Sequence, residues 1–328
     1  MVKVSVCTVT YNHGNYLAQA IESVLMQQRD FEIEMIISED CSTDNTREIL
    51  RDYAARFPDI IKPIYQDTNV GASQNSYGAL QACSGQYIAA LEGDDFWTDK
   101  NKLARQVGFL DENKEFAICS HNLMVVNAAG NPCNELVRPE RSEIVYTLED
   151  LAICNTLATA SCLYRNNFTV GPSPTNYPDW LMNVRIGDYC LHMLAARHGK
   201  IKYFPDVMGA YRTHSGGAWT KESHVGRAIM FFNTFHHLRK EFSGEVRDKI
   251  LKQQEASFQI LSDADDATLN AFLQQNKEEV LDFLAEDYPR MLELYFHNFN
   301  AVRSAEYRLG KTLVKPIRKL ADWYRSSS

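Results

Sequence analysis

The sequence predicts an α/β protein: a mainly parallel, mixed sheet with helices on both faces, plus a C-terminal helical extension. Three observations predict it. Over residues 1–120, short β-branched apolar runs alternate with stretches whose apolar residues recur at helical spacing. Repeated units of this kind build a parallel sheet that helices cover on both sides. From 121 to 220 the alternation loosens into a mixed pattern, and from 221 to 328 the chain reads as helical. The expected organisation is one sheet-built domain in two halves, 1–120 and 121–220, with 221–328 appended.

The elements follow in order. VKVSVCTVT is a β-branched strand, and NYLAQAIESVLMQ places Leu17, Ile21, Val24 and Leu25 on one helical face. EIEMIIS is a second strand. DNTREILRDYAARF is a second helix, with Asn45 at the N-cap, Glu48 three residues on and Pro58 just past its end. DIIKPIYQD is a third strand that belongs at an edge, because Pro63 cannot donate to a central ladder. SQNSYGALQAC is a helix stopped by Gly85, QYIAALEG a fourth strand, KLARQVGFLDEN a fourth helix and EFAICSHNLMVVN a fifth strand. Further on, a helix begins near Asp188, and IKYFPDVMGAYR reads as strand and turn leading to THSGGAWT.

Composition narrows the function classes. With 45% hydrophobic and 23% charged residues the chain is an ordinary globular one, which excludes disorder as the default. A net charge of −8 argues against nucleic acid as a partner. None of the eight cysteines forms a C-x-x-C pair, so reduced thiols in a cytoplasmic protein are expected rather than a zinc cage or a disulfide framework. Cys7 and Cys190 sit among apolar residues and read as core. The N-terminus enters a strand without signal-peptide zones, and no run reaches the length of a membrane span.

In open parallel sheets, ligands bind outside the carboxyl ends of the strands. The polar groups expected on that rim are Thr10, Tyr11 and Asn12 after strand one, and Glu39 and Asp40 after strand two. Asp67, Asn69 and Gly71 follow strand three, and Glu92, Asp94 and Asp95 follow strand four. Crowded carboxylates either form a solvated loop or hold a hard cation. Their oxygens suit Mg²⁺ or Mn²⁺. Because this cluster follows a buried-looking strand on the ligand rim, the cation reading is favoured, with Asp95 as a ligand.

Three blocks, VSVCTVTYNHGNYLAQAIESVLMQ, EIEMIISEDCSTDNTREIL and NVGASQNSYGALQACSGQYIAALEGDDFWTD, span most of residues 2–99. With a fourth, IGDYCLHMLAARHGKIKYFPDVMGAYRTHSGGAWT, they make the sequence resemble the family 2 glycosyltransferases, which have the GT-A fold. The resemblance implies a nucleotide-sugar donor, most often a UDP-sugar, and a divalent metal, Mn²⁺ or Mg²⁺. It implies that Tyr11 lines the base pocket, with Thr10, Asn12 and Asn69 on the same rim. It also implies that Asp40 accepts from the base with Glu39 beside it, where the family usually has two aspartates. GDD takes the D-x-D position: Asp95 would bind the metal, Asp94 would hold the ribose or the metal shell, and Glu92 is a third member of unassigned role.

On the acceptor side a carboxylate must take the proton of the attacking hydroxyl. The resemblance assigns this to Asp188, although Gly187 replaces the first residue of the family's E-D pair. An N-cap is the structural alternative for an Asp at a helix start. His214 matches a histidine that reaches the metal in many GT-A enzymes. Arg212 and Trp219 would hold phosphate and an acceptor ring, or else form a salt bridge and pack. Asp44 and Asp67 read as caps or turn residues, and His236–His237 as packing or surface. The tail, with Arg303, Arg308, Lys311, Lys315, Arg318, Lys319 and Arg325, is either a peripheral membrane-surface helix or a helix packed on the body.

The expected function is therefore inverting, metal-dependent transfer of a sugar to a hydroxyl of a glycan or glycolipid, in polysaccharide biosynthesis. The alternatives are a non-catalytic sugar- or nucleotide-binding module and, further off, a sugar nucleotidyltransferase. The latter lacks its Gly-rich basic loop here, since TYNHGN carries no Lys or Arg. Oligomeric state is not encoded in any motif.

Overall fold

The computed structural model describes residues 2–166, 177–217 and 222–283. The chain divides into two compact units between Lys221 and Glu222. Trp219 and the basic tail lie outside the described residues.

The first unit opens with β1 (Val4–Thr10), α1 (Leu17–Leu25), β2 (Ile33–Glu39), α2 (Thr46–Arg56), β3 (Ile61–Tyr65) and α3 (Ala72–Ala82). Next come β4 (Tyr87–Ala90), β5 (Phe96–Trp97), α4 (Lys102–Glu112), β6 (Phe116–Val126), β7 (Pro132–Leu136) and β8 (Ile144–Tyr146). It closes with α5 (Leu148–Leu151), a 3-10 turn (Thr159–Ser161), β9 (Leu163–Arg165), a second 3-10 turn (Asp179–Asn183), α6 (Gly187–Ala196) and β10 (Lys200–Arg212).

All ten strands join one sheet, in the order β3-β2-β1-β4-β9-β6-β10-β5, with β7 paired to β6 and β8 to β10. β1 to β4 are mutually parallel, as are β6 and β10, while β9 runs antiparallel between β4 and β6. The carboxyl ends of β1, β2, β3 and β4 therefore share one edge. Every residue of β2 is buried, as a strand covered on both faces requires. β3 takes the sheet edge, where Pro63 costs no ladder bond. The core joins Val4, Val6, Leu17, Ile21, Met35, Ile37, Tyr87 and Trp97.

Two local features differ from the sequence expectation. At α2, Asn45 occupies the N-cap but its side chain caps nothing. Asp44 does that work, accepting from the Thr46 N–H (2.9 Å) and the Thr46 hydroxyl (2.5 Å). The fourth strand ends early, at Ala90, yet the chain stays beside β1: Leu91 N–H donates to Cys7 O (3.1 Å) and Gly93 N–H to Val9 O (3.0 Å). Three residues later β5 pairs antiparallel with Ala210 and Gly209 of β10. The acidic segment is thus pinned at both ends, between β1 and β10.

The second unit contains α7 (His224–Glu241), α8 (Gly244–Ser262) and α9 (Asp266–Gln275), around a core of Phe232, Phe258, Leu261, Phe272 and Phe283. His236 is buried in it, and burial with Lys240 and Arg239 nearby pushes its pKa down to about 4. This is the packing role.

Candidate functional site

The acidic loop does not present its three carboxylates to one point. Asp95 is turned inward, almost fully buried, and its Oδ1 accepts the backbone N–H of Arg212 at 2.8 Å. Burial, with the Asp94 and Glu92 charges, pushes its carboxyl well above the ordinary range. Glu92 is held at about 8 by burial and by the charges of Asp94 and Asp188, with the Thr159 side chain offsetting them in part. Asp94 behaves otherwise. Burial opposes its charge, but the hydrogen bond with His214 and the neighbouring His13 leave its carboxyl below the usual value.

Among the described residues, one group has the spacing of a metal site: His13, Asp94 and His214, whose ligand atoms all lie within 4.8 Å of one another. His214 Nε2 is 3.0 Å and His13 Nε2 3.7 Å from the same oxygen, Asp94 Oδ2. The expected ligands Asp94 and His214 come together here, whereas Asp95 does not join them. The chain turns here, Asp95 N–H donating to Glu92 O at 3.2 Å, and the Asp95 carboxyl is spent on the Arg212 backbone while Asp94 meets the imidazoles. One carboxylate and two imidazoles are a sound donor set for a divalent cation.

The nucleotide rim is largely braced internally. Asp40 is buried, and its two oxygens accept Val70 N–H (2.7 Å) and Gly71 N–H (2.9 Å). Gly71 sits at φ 87°, a conformation that favours glycine. Asn69 Nδ2 donates to Asp40 O at 3.2 Å. Glu39 does not face the rim: it is fully buried, accepting from Ser42 N–H and pairing with Arg47. Asn12, at φ 56°, ties β1 to the loop after β2, taking Ser42 Oγ on its N–H (2.9 Å) and Thr43 N–H on its Oδ1 (2.8 Å). Thr10 is buried with an unpartnered Oγ1. Tyr11 is 42% exposed, which leaves its ring open to a base.

On the acceptor side the N-cap of α6 is Ile186, so Asp188 is not the cap but the second residue of the helix. Its Oδ2 accepts the Thr159 hydroxyl at 3.0 Å, and the carboxylate is half-buried. A first-turn carboxylate also lies at the positive end of the helix dipole. A Cβ at Gly187 would meet nothing within 4 Å, so the missing acid of the family pair leaves open space beside Asp188. Arg212 is not available to phosphate. It is 4% exposed, and its guanidinium donates to Asp94 O (2.8 Å), Ala128 O (3.0 Å) and Gln19 Oε1 (2.6 Å).

Two members of the site carried little signal in the sequence. His13 lies next to the rim residue Asn12, and the pointer to it is Gly93, where a Cβ would come within 3.0 Å of His13 Nδ1. Thr159 is 29 residues from Asp188 and belongs to no motif.

Residues 5–159 match the sequence profile of Glycosyl transferase family 2. An uncharacterized protein of Mycobacterium tuberculosis, Rv1520, is 36% identical over 215 residues, covering 66% of this chain and 60% of that protein. The putative teichuronic acid biosynthesis glycosyltransferase TuaG of Bacillus subtilis is 36% identical over 155 residues, 47% of this chain and 58% of TuaG. The matched region thus spans about three-fifths of these relatives' length. Among solved structures, S. aureus TarS 1–349 in complex with UDP-GlcNAc superposes with a TM-score of 0.63 at 19% identity, over 100% of this chain and 93% of that one. The mannosyltransferase PcManGT of Pyrobaculum calidifontis, in complex with GDP-Man and Mn²⁺, gives 0.53 at 16% identity, over 96% and 85%. The fold is GT-A.

Proposed function

We propose that this chain, whose residues 5–159 match glycosyl transferase family 2, moves a sugar from a nucleotide-sugar, in the first instance a UDP-sugar, to a hydroxyl of a glycan or glycolipid, with inversion. Polysaccharide biosynthesis is the proposed setting, in line with the name of TuaG. The single observation that carries the reading is a pair of separately held carboxylates near one acidic loop. Asp94 of that loop lies with two imidazoles, Asp188 starts helix α6 on the Thr159 hydroxyl, and burial with the charges of both raises the Glu92 carboxyl.

Asp94 and His214 would hold a divalent cation, Mn²⁺ or Mg²⁺, which when bound supplies Lewis-acid neutralisation of a leaving diphosphate. The remaining chemistry belongs to this chain. Tyr11 offers an open ring to the base, and the loop carrying Asn69 to Gly71 is fixed by Asp40 at the rim. Asp188 takes the acceptor proton. With Oδ2 occupied by Thr159, Oδ1 is the oxygen presented to the incoming hydroxyl. One base and no partner nucleophile suit a single in-line displacement, hence inversion. Asp95 and Glu39 support the fold in this scheme rather than touching substrate.

A cytoplasmic location goes with the reading, because all eight cysteines are free thiols. No helix among the described residues is long and apolar enough to cross a membrane. The test is a thermal-shift panel of UDP, GDP, CDP, ADP and dTDP with and without Mn²⁺ or Mg²⁺, followed by donor turnover with Asp188→Asn. A cation-dependent shift for one nucleotide, with turnover lost in the variant, is expected. A shift with no turnover in the wild type would make the chain a binding module. No shift at all would remove the donor site.

A further inference from the structure

We propose that His13 is a third protein ligand of the cation site, and that it makes the site select a transition metal of the Mn²⁺ or Co²⁺ class over Mg²⁺. The inference rests on the cation reading above and extends it to a residue that the sequence motifs do not single out.

Four observations place His13 there. First, its Nε2 stands 3.7 Å from Asp94 Oδ2. That is too long for a hydrogen bond, for which ~3.2 Å is the ordinary limit. It is the separation of two ligand atoms on one ion, since bonds of ~2.1 Å set ligands roughly 3 to 4 Å apart. Second, His13 Nδ1 is buried and has no hydrogen-bond partner. A histidine kept for structure normally engages its ring nitrogens, so the fold holds this ring in place for something other than its own hydrogen bonds. Third, the ring is held rather than drifting. The His13 carbonyl accepts both Tyr16 N–H and Leu17 N–H at 2.8 Å, which locks the residue to the entrance of α1. The next residue is anchored too, with Gly14 N–H donating to Asp44 Oδ2 at 3.0 Å. Fourth, the opposite wall is cut back to admit the ring. A Cβ at Gly93 would lie 3.0 Å from Nδ1 and 2.7 Å from Thr10 Oγ1.

The consequence for metal choice is chemical. Mg²⁺ prefers oxygen ligands and keeps its waters, whereas each imidazole favours the first-row transition ions. A site of one carboxylate and one imidazole discriminates weakly. Adding a second imidazole, edge-on to the first with ring centroids 6.1 Å apart, tips it away from Mg²⁺.

The experiment uses the full chain and Mn²⁺ as the probe, with and without UDP. Free Mn²⁺ is titrated by continuous-wave electron paramagnetic resonance, and Mg²⁺ is then added as competitor. Pulsed measurements on the wild type count the nitrogen nuclei bound to Mn²⁺, a readout that needs neither activity nor a folded variant. Two coordinated imidazoles are expected in the wild type and one in His13→Gln, whose Mn²⁺ affinity falls by about tenfold or more while its Mg²⁺ affinity changes by less than about twofold. A wild-type count of one nitrogen, or unchanged Mn²⁺ affinity in His13→Gln, overturns the proposal. Asp94→Asn separates the two levels. If it too binds Mn²⁺ like the wild type, the cation reading itself has failed, and not only the assignment of His13.

Discussion

Thr159 and Asp188 meet across the carboxyl edge of the sheet, Oγ1 to Oδ2 at 3.0 Å, although 29 residues separate them. One lies on a 3-10 turn and the other in the first turn of α6. The hydroxyl fixes one carboxylate oxygen and thereby aims the other. Thr159→Val should lower turnover by about one to two orders of magnitude with donor KM unchanged, because the base is misaimed rather than removed. Thr159→Ser should restore it. Equal losses in Val and Ser would point to packing instead.

Asp94 is the one carboxylate of the acidic loop that belongs to the imidazole cluster. Asp94→Asn should abolish the cation-dependent part of any nucleotide thermal shift, and chelation should do the same to the wild type. At a ligand concentration of 100 Kd that part is worth about 2.7 kcal/mol. Asp95→Asn should instead mainly lower the melting temperature, since that carboxyl is turned onto the Arg212 backbone. A reversal of these two phenotypes would return the metal to Asp95.

Asp40→Ala separates bracing from base recognition. Two loop N–H groups, from Val70 and Gly71, lose their acceptor at once. Unsatisfied buried donors cost about 1–3 kcal/mol each, so a clear loss of stability without any nucleotide present is expected in urea unfolding. Wild-type stability combined with lost nucleotide affinity would assign Asp40 to the base.

Lys102 is fully buried, its Nζ has no hydrogen-bond partner and lies 3.6 Å from the centre of the Trp97 ring. Burial lowers its pKa from 10.5 to about 7. Below about 7 both folded and unfolded chains carry the charge, and the cost of burying it is full. Between about 7 and 10.5 the unfolded chain keeps a proton that the folded chain releases, so this group makes stability rise with pH. Lys102→Met removes the cost. Its stability advantage over the wild type should be largest near pH 6 and narrow toward pH 10, by at most roughly 5 kcal/mol. A difference independent of pH would show that the lysine is solvated.

The first half of the sheet was legible in the sequence because its β–α alternation carries two distinct periods, and Pro63 even marked the edge strand. What the linear pattern hides is the direction of each side chain. Glu39, Asp40, Asp94 and Asp95 all read as rim carboxylates, yet Arg47, the loop after β3, the histidine pair and Arg212 claim one each. Those partners lie up to 120 residues away, so no local motif reports them. β5, only two residues long, was missed because a pair has no periodicity. Asp188 stands where the resemblance places the proposed base, and the observed N-cap at Ile186 sets aside its reading as a helix cap, which position alone left open.

The Arg212 guanidinium joins the acidic loop, the turn after β6 and helix α1 in a single buried knot. Segments tied this way cannot fray independently. In native-state hydrogen exchange the amides of these three segments should share one opening free energy and one denaturant dependence, as members of a single cooperative unit. A partly unfolded form of this protein would then keep the whole rim or lose the whole rim, and a half-assembled cleft would not be populated.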